Sequence, residues 1–122
     1  MAAYEVEVSA EFSATHAARL ASGPLEEPHA HPWRVTAVYR AEALDKSGFV
    51  VDFLAVQGAL ASLAGELAGA DLNQIVPPIG QGASAERVAE YLARRLAAAL
   101  GREAFCVRVS EAPGCRAAYY PG

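Results

Sequence analysis

An α+β fold with the element order ββααββ is what this sequence predicts, and three observations carry it. The N-terminal segment alternates apolar and acidic residues, and the middle of the chain repeats apolar residues every three or four positions. The C-terminal segment then returns to strand-like runs around a short turn. Strands grouped apart from helices indicate a four-stranded antiparallel sheet with two helices on one face.

The first strand is read over Tyr4 to Phe12. There Tyr4, Val6, Val8, Ala10 and Phe12 point one way while Glu5, Glu7, Ser9 and Glu11 point the other, which is the pattern of a half-buried strand. From Ala14 to Pro32 the chain mixes Gly23, Pro24, Glu26, Glu27 and Pro28, and a long excursion without regular structure is expected. Loops of that length are usually functional. A second strand is expected over Trp33 to Glu42, with Trp33, Val35, Ala37 and Tyr39 on one face, before the turn "DKSG".

Next, Val56, Leu60, Leu63, Ala64 and Leu67 recur at helical spacing within "VQGALASLAGELAGA". The Gly- and Pro-rich stretch 71–83 reads as a loop. Ser84 then has the character of an N-cap for a second helix, with Glu86 in its first turn, Val88, Leu92 and Leu96 along one face, and Gly101 as its stop. The segments "AFCVRVSE" and "CRAAYY" around "APG" make the third and fourth strands. Such a sheet has two open edges, and unpaired edges invite association, so an oligomer joined edge to edge is expected.

Composition narrows the function classes. With 122 residues, 53% of them hydrophobic, residues 1–122 can form one domain with a single core and no disulfide or metal staple. Ten Lys and Arg against fourteen Asp and Glu give a formal charge of −4, which argues against nucleic-acid partners because phosphate binding needs clustered cations. The N-terminus lacks the basic start and apolar run of a signal peptide, and nothing approaches the roughly 18 apolar residues of a membrane span. A cytoplasmic protein without membrane contact is expected. In that reducing compartment Cys106 and Cys115 are read as free thiols, although they flank a hairpin and could approach each other.

Three histidines are present, and two of them form "HAH" at 29–31. Residues two apart on a strand project to the same face, so His29 and His31 would point together if the strand begins early enough to include them. Such a pair can chelate one ion, and His16 could complete a triad of the kind catalytic zinc uses, with ligands at about 2.0 to 2.1 Å and a further position open. The alternative is a polar loop that happens to hold two imidazoles. Glu111 shares strand parity with Phe105, Val107 and Val109, which would aim its carboxylate where burial is costly without a partner. Equally, the strand can end at Ser110 and leave Glu111 solvated.

The order of motifs is similar to that of the 6-pyruvoyl-tetrahydropterin synthase and 6-carboxytetrahydropterin synthase family. Its Phe-x-Ala-x-His, His-x-His, Gly-x-x-x-Asp-Phe, Leu-Asn, Thr-x-Glu and strand-end Glu occur here in register. They read "FSATH", "HAH", "GFVVDF", Leu72-Asn73, "SAE" at 84–86 and "VSE" ending at Glu111. The resemblance spans nearly the whole chain and implies a tunnelling (T-fold) subunit, assembled as trimers or hexamers with active sites at subunit interfaces. It further implies zinc on His16, His29 and His31, and a pterin-like substrate whose ring is held by Glu111 and Ser84. A carboxylate can accept two parallel N–H bonds from an aminopyrimidinone edge.

Two departures bear on activity. The family's cysteine before His-x-His has no counterpart in "GPLEEP", and Cys106 and Cys115 are on the wrong strands to replace it. The family's Asp-His dyad ahead of Leu-Asn is replaced by Ala68 and Gly69. One reading gives the proton chemistry to Glu26 or Glu27, with Asp71, as in family members where a glutamate stands for the cysteine. Burial would tune such a carboxylate upward and a neighbouring cation downward. The other reading is a ligand-binding or repurposed paralogue, with Glu26 and Glu27 in a solvated acidic loop and Asp71 as a turn residue or cap.

Overall fold

In the computed structural model, which describes residues 3–122, the sheet is antiparallel in the order β1-β2-β3-β4. Its strands are β1 (Tyr4–His16), β2 (His29–Ala41), β3 (Cys106–Ala112) and β4 (Cys115–Tyr119). Between β2 and β3 lie helix α1 (Phe53–Leu67), a single 3₁₀ turn (Leu72–Gln74) and helix α2 (Ala85–Leu100). The ββααββ order is therefore as the alternation and helical spacing predicted.

One face of the sheet and the two helices share a core. Val8, Phe12, Trp33, Val35, Tyr39, Val107 and Val109 from the strands meet Val56, Leu60, Leu63, Val88, Leu92 and Leu96 from the helices. Trp33 is fully buried; it stacks on Phe12 at 6.3 Å between centroids and donates its indole N–H to the Ala14 carbonyl at 3.3 Å. The opposite face is polar. Glu5, Glu7 and Glu11 pair there with Arg40, Arg108 and Arg34 at 2.7, 2.7 and 2.9 Å, so the acidic stripe of β1 is matched by cations from β2 and β3. Cross-strand charge pairs of this kind favour one register.

Both helices start where their caps dictate. Asp52 accepts from Leu54 N–H at 2.9 Å, so α1 begins at Phe53, three residues before the first apolar repeat residue. Ser84 accepts from Arg87 N–H at 3.2 Å, and Gly101 closes α2 with φ of 67°, as the sequence signalled.

The excursion between the first two strands is shorter than expected. β1 continues past Phe12 to His16, and β2 begins at His29, because Ala14 pairs with His31 and His16 with His29 across an unbroken ladder. Pro32 is accommodated within β2 opposite Ser13. The remaining residues, 17–28, fold back on themselves through a bridge between Arg19 and Leu25, with Leu20 N–H donating to Pro24 O and Glu26 N–H to Ala18 O. β2 ends at Ala41 and β3 starts at Cys106, leaving Phe105 outside the strand and 39% exposed. Both cysteines are free: Cys106 is buried against Val38 on the polar side of the sheet, and Cys115 is exposed in the hairpin.

Candidate metal centre

The core-facing parity of β1 and β2 continues to the end of the ladder, where the helices no longer cover it. Phe12 opposite Trp33 is followed by Ala14 opposite His31 and then His16 opposite His29. Three imidazoles therefore emerge on one face at one end of the sheet. Their ring centroids are 4.8, 5.1 and 4.4 Å apart for the pairs 16–29, 16–31 and 29–31, and one ligand atom from each lies within 4.8 Å of the others. Trp33 walls the cluster, its ring edge-on to His16 at 4.9 Å.

Backbone carbonyls set the tautomers of two of the rings. His16 Nδ1 is 2.7 Å from Ala83 O, and His29 Nδ1 is 2.9 Å from Glu27 O. A carbonyl can only accept, so each Nδ1 carries a proton, and in the neutral ring each Nε2 then presents its lone pair. This is how metal-ligating histidines are held, with the second nitrogen bonded to a fixed acceptor.

The Ala83 carbonyl is itself held by a chain of contacts. Asn73 is buried; its Oδ1 accepts from Ala17 N–H at 3.0 Å and Ala83 N–H at 3.2 Å, and its Nδ2 donates to Ala17 O at 2.9 Å. Gly82, at φ of 107°, lies so close to Arg19 that an added Cβ would meet the Arg19 nitrogen at 3.2 Å. Arg87 reaches back from α2 to donate to the carbonyls of Gln81 and Gly82 at 3.1 and 2.9 Å. Of these residues only Asn73, in Leu72-Asn73, belongs to a motif legible in the sequence. Backbone carbonyls leave no side-chain signature in a sequence, and the stretch 71–83 reads there only as a Gly- and Pro-rich loop.

Two carboxylates flank the histidines. Glu111 Oε2 is 3.1 Å from His16 Nε2, and both atoms are buried without a hydrogen-bond partner. Glu26 accepts from Ala18 N–H at 2.8 Å and stands 3.7 Å from His29 Nε2. The Glu27 side chain is exposed, and its backbone carbonyl rather than its carboxylate meets the cluster. Asp71 is exposed and caps the 3₁₀ turn through Asn73 N–H at 3.1 Å. Ser84 is half-buried, and its hydroxyl caps α2 beside the Ala83 carbonyl.

A lone pair on His16 Nε2 facing a carboxylate oxygen is repulsive unless something positive lies between them. Three convergent nitrogens, two with preset tautomers, together with that orphaned pair of acceptors, fit a divalent cation of the type that takes imidazole and carboxylate ligands.

The chain matches the family model described as 6-pyruvoyl tetrahydropterin synthase over residues 5–122. No curated protein matches it significantly by sequence. Among solved structures it is similar to the 6-pyruvoyl tetrahydropterin synthase of Caenorhabditis elegans, with a TM-score of 0.81 at 19% identity, covering 100% of this chain and 98% of that one. It is also similar to the enzyme of Plasmodium falciparum, with a TM-score of 0.77 at 18% identity and 96% of each chain covered. A Plasmodium vivax 6-pyruvoyltetrahydropterin synthase with a catalytic glutamate replaced by alanine matches with a TM-score of 0.76 at 15% identity, covering 98% of both chains. At these identities the structural matches establish the fold.

Proposed function

Since the chain belongs to the 6-pyruvoyl tetrahydropterin synthase family, we propose that it is a cytoplasmic, zinc-dependent lyase acting on a pterin or a related heterocycle with a hydroxylated side chain. The observation that carries this reading is the convergence of His16, His29 and His31 at the end of the β1–β2 ladder, with Glu111 and Glu26 on either side. His16, His29 and His31 would hold the zinc. The chemistry zinc supplies there when bound is Lewis-acid polarisation of a substrate oxygen and stabilisation of the negative charge that develops on it.

The remaining work falls to the chain's own side chains. Glu111 accepts N–H bonds from the flat edge of the heterocycle, and Ser84, at the N-terminus of α2, lies within the same end of the fold. Glu26 is the proton acceptor for the substrate side chain. Its carboxylate is oriented by the Ala18 N–H and lies beside His29, whereas Glu27 turns its carboxylate to solvent. The Plasmodium vivax enzyme with a catalytic glutamate supports a carboxylate in this role. Asp71 contributes through the loop it caps, next to the end of β1.

Assembly completes the pocket in this reading. The side chains of His29, Glu26 and Glu111 are 38%, 30% and 29% exposed, so a neighbouring subunit has room to supply the missing wall. β1 and β4 are the sheet's edge strands and are free to join between subunits in a trimer or hexamer.

Ala68 and Gly69 favour a second reading. They leave the two positions of the family's Asp-His relay without an ionisable group, so a pterin-binding protein without that reaction is the alternative. Zinc-loaded protein incubated with dihydroneopterin triphosphate and with dihydroneopterin, followed by product analysis, separates the two. Turnover that Glu26→Ala abolishes and Glu27→Ala spares supports the lyase. Pterin binding without turnover, lost in Glu111→Ala, supports the binding protein.

A further inference from the structure

We infer that Arg87 is a positioning residue of the metal centre, holding the loop whose carbonyl fixes the ring of His16. This rests on the reading of the three histidines as a metal centre. Arg87 is the third residue of α2, behind the cap at Ser84. Local helix chemistry calls for a different side chain there. A Glu or Gln at this place completes a capping box with the Ser, whereas a cation opposes the positive end of the helix dipole. A residue that breaks the local rule is expected where a functional site needs it.

The loop that enters the helix shows the need. Gly80 and Gly82 both have positive φ, 76° and 107°, and glycine has the most conformational freedom to lose on folding. The N–H groups of this loop are tied on one side: Gly80 donates to Asn73 O at 2.9 Å, Gln81 to Pro78 O at 3.1 Å and Ala83 to Asn73 Oδ1 at 3.2 Å. Its carbonyls are held from the other. A single guanidinium nitrogen of Arg87 donates to Gln81 O at 3.1 Å and to Gly82 O at 2.9 Å. The next carbonyl, Ala83 O, lies 2.7 Å from His16 Nδ1. The peptide plane that orients the histidine therefore follows directly on the plane that Arg87 grips.

Two effects of this cation on metal affinity have opposite signs. By charge alone a guanidinium near the site repels a divalent ion, so removing it would tighten binding. By fixing the Ala83 carbonyl it keeps the His16 ring aimed, so removing it would weaken binding, as loss of an outer hydrogen bond to a ligating histidine does. The geometry points to the second effect, because both N–H groups of that nitrogen are engaged by the loop carbonyls.

Arg87→Gln tests the sign. It removes the two donated bonds and the charge, completes the capping box, and leaves the backbone N–H that Ser84 caps. It is compared with wild-type protein and with Arg94→Gln, a control on the same helix whose partner is Glu90 at 2.7 Å. Zinc affinity by chelator competition is expected to fall about 10-fold in Arg87→Gln and to stay unchanged in Arg94→Gln. In metal-free protein isotope-labelled at histidine, the magnetic resonance signal of the His16 Nδ1 proton should exchange with water several-fold faster in Arg87→Gln than in wild type. Zinc binding as tight as wild type or tighter in Arg87→Gln would overturn the inference and leave the metal centre intact. So would a lowered urea midpoint with unchanged Nδ1 exchange, which is the mark of a merely structural role. Failure of wild-type protein to bind zinc would remove the metal centre and this inference together.

Discussion

Asn73 holds Ala17 by both of its backbone polar groups, donating to its carbonyl at 2.9 Å and accepting from its N–H at 3.0 Å. Ala17 follows His16 directly, and the same amide oxygen accepts from Ala83, whose carbonyl orients the His16 ring. Removing this one side chain strands three buried backbone groups. Asn73→Ala is expected to cost roughly 2 to 4 kcal/mol in urea unfolding, and to weaken metal binding through the loss of a fixed His16 tautomer.

Two glycine replacements should act in opposite directions. Gly82→Ala places a Cβ 3.2 Å from the Arg19 nitrogen at a φ of 107°, so strain of about 1 to 3 kcal/mol is expected. Gly58 lies in α1 with open space around it, and Gly58→Ala should stabilise by about 0.5 to 1 kcal/mol. Thermal melts of the two variants test the contrast; equal shifts would refute it.

Tyr39 makes alkaline stability pH-dependent. Burial holds its phenol above the usual tyrosine value of 10.0, against a smaller lowering by Arg102, and its hydroxyl has no partner. The folded state therefore keeps a proton the unfolded chain releases. Stability from this group is complete below pH 10.0 and is lost as pH rises through the folded value. Tyr39→Phe should flatten that decline and be neutral or stabilising at neutral pH, as measured by denaturant midpoints across the alkaline range.

Trp33, the sole tryptophan, reports on the site because its ring lies 4.9 Å from that of His16. Cobalt or copper at the three histidines should quench its emission strongly, since partly filled d shells accept excitation at contact range, whereas zinc, with a filled shell, should not. Chelation should restore the signal. Undiminished emission from protein carrying one equivalent of bound cobalt would show that the metal sits elsewhere.

Ser84→Ala separates a structural role from a binding one. Loss of the cap on Arg87 N–H should cost about 1 kcal/mol of stability. A Ser84→Asp variant should restore the cap but bring a negative charge toward the ring-binding side. Pterin affinity that recovers along with stability would argue that Ser84 acts through the helix alone.

The sequence by itself determined which faces are apolar and how they repeat, because the periods of two and of three to four residues follow from backbone geometry alone. It therefore specified ββααββ, the cap at Ser84, the stop at Gly101 and the shared parity of His29 and His31 with Trp33. It also placed Asn73 and Glu111 in a recognisable order of motifs. Only the tertiary structure decided that β1 and β2 run on to His16 and His29, since strand length depends on a partner lying alongside and Pro32 reads locally as an interruption. It likewise distinguished Glu26 from Glu27, adjacent residues of identical chemistry, by giving one the Ala18 N–H and turning the other to solvent. The carbonyls of Ala83 and Glu27 that orient two of the histidines come from the path of the backbone, which long-range pairing sets and no local pattern encodes.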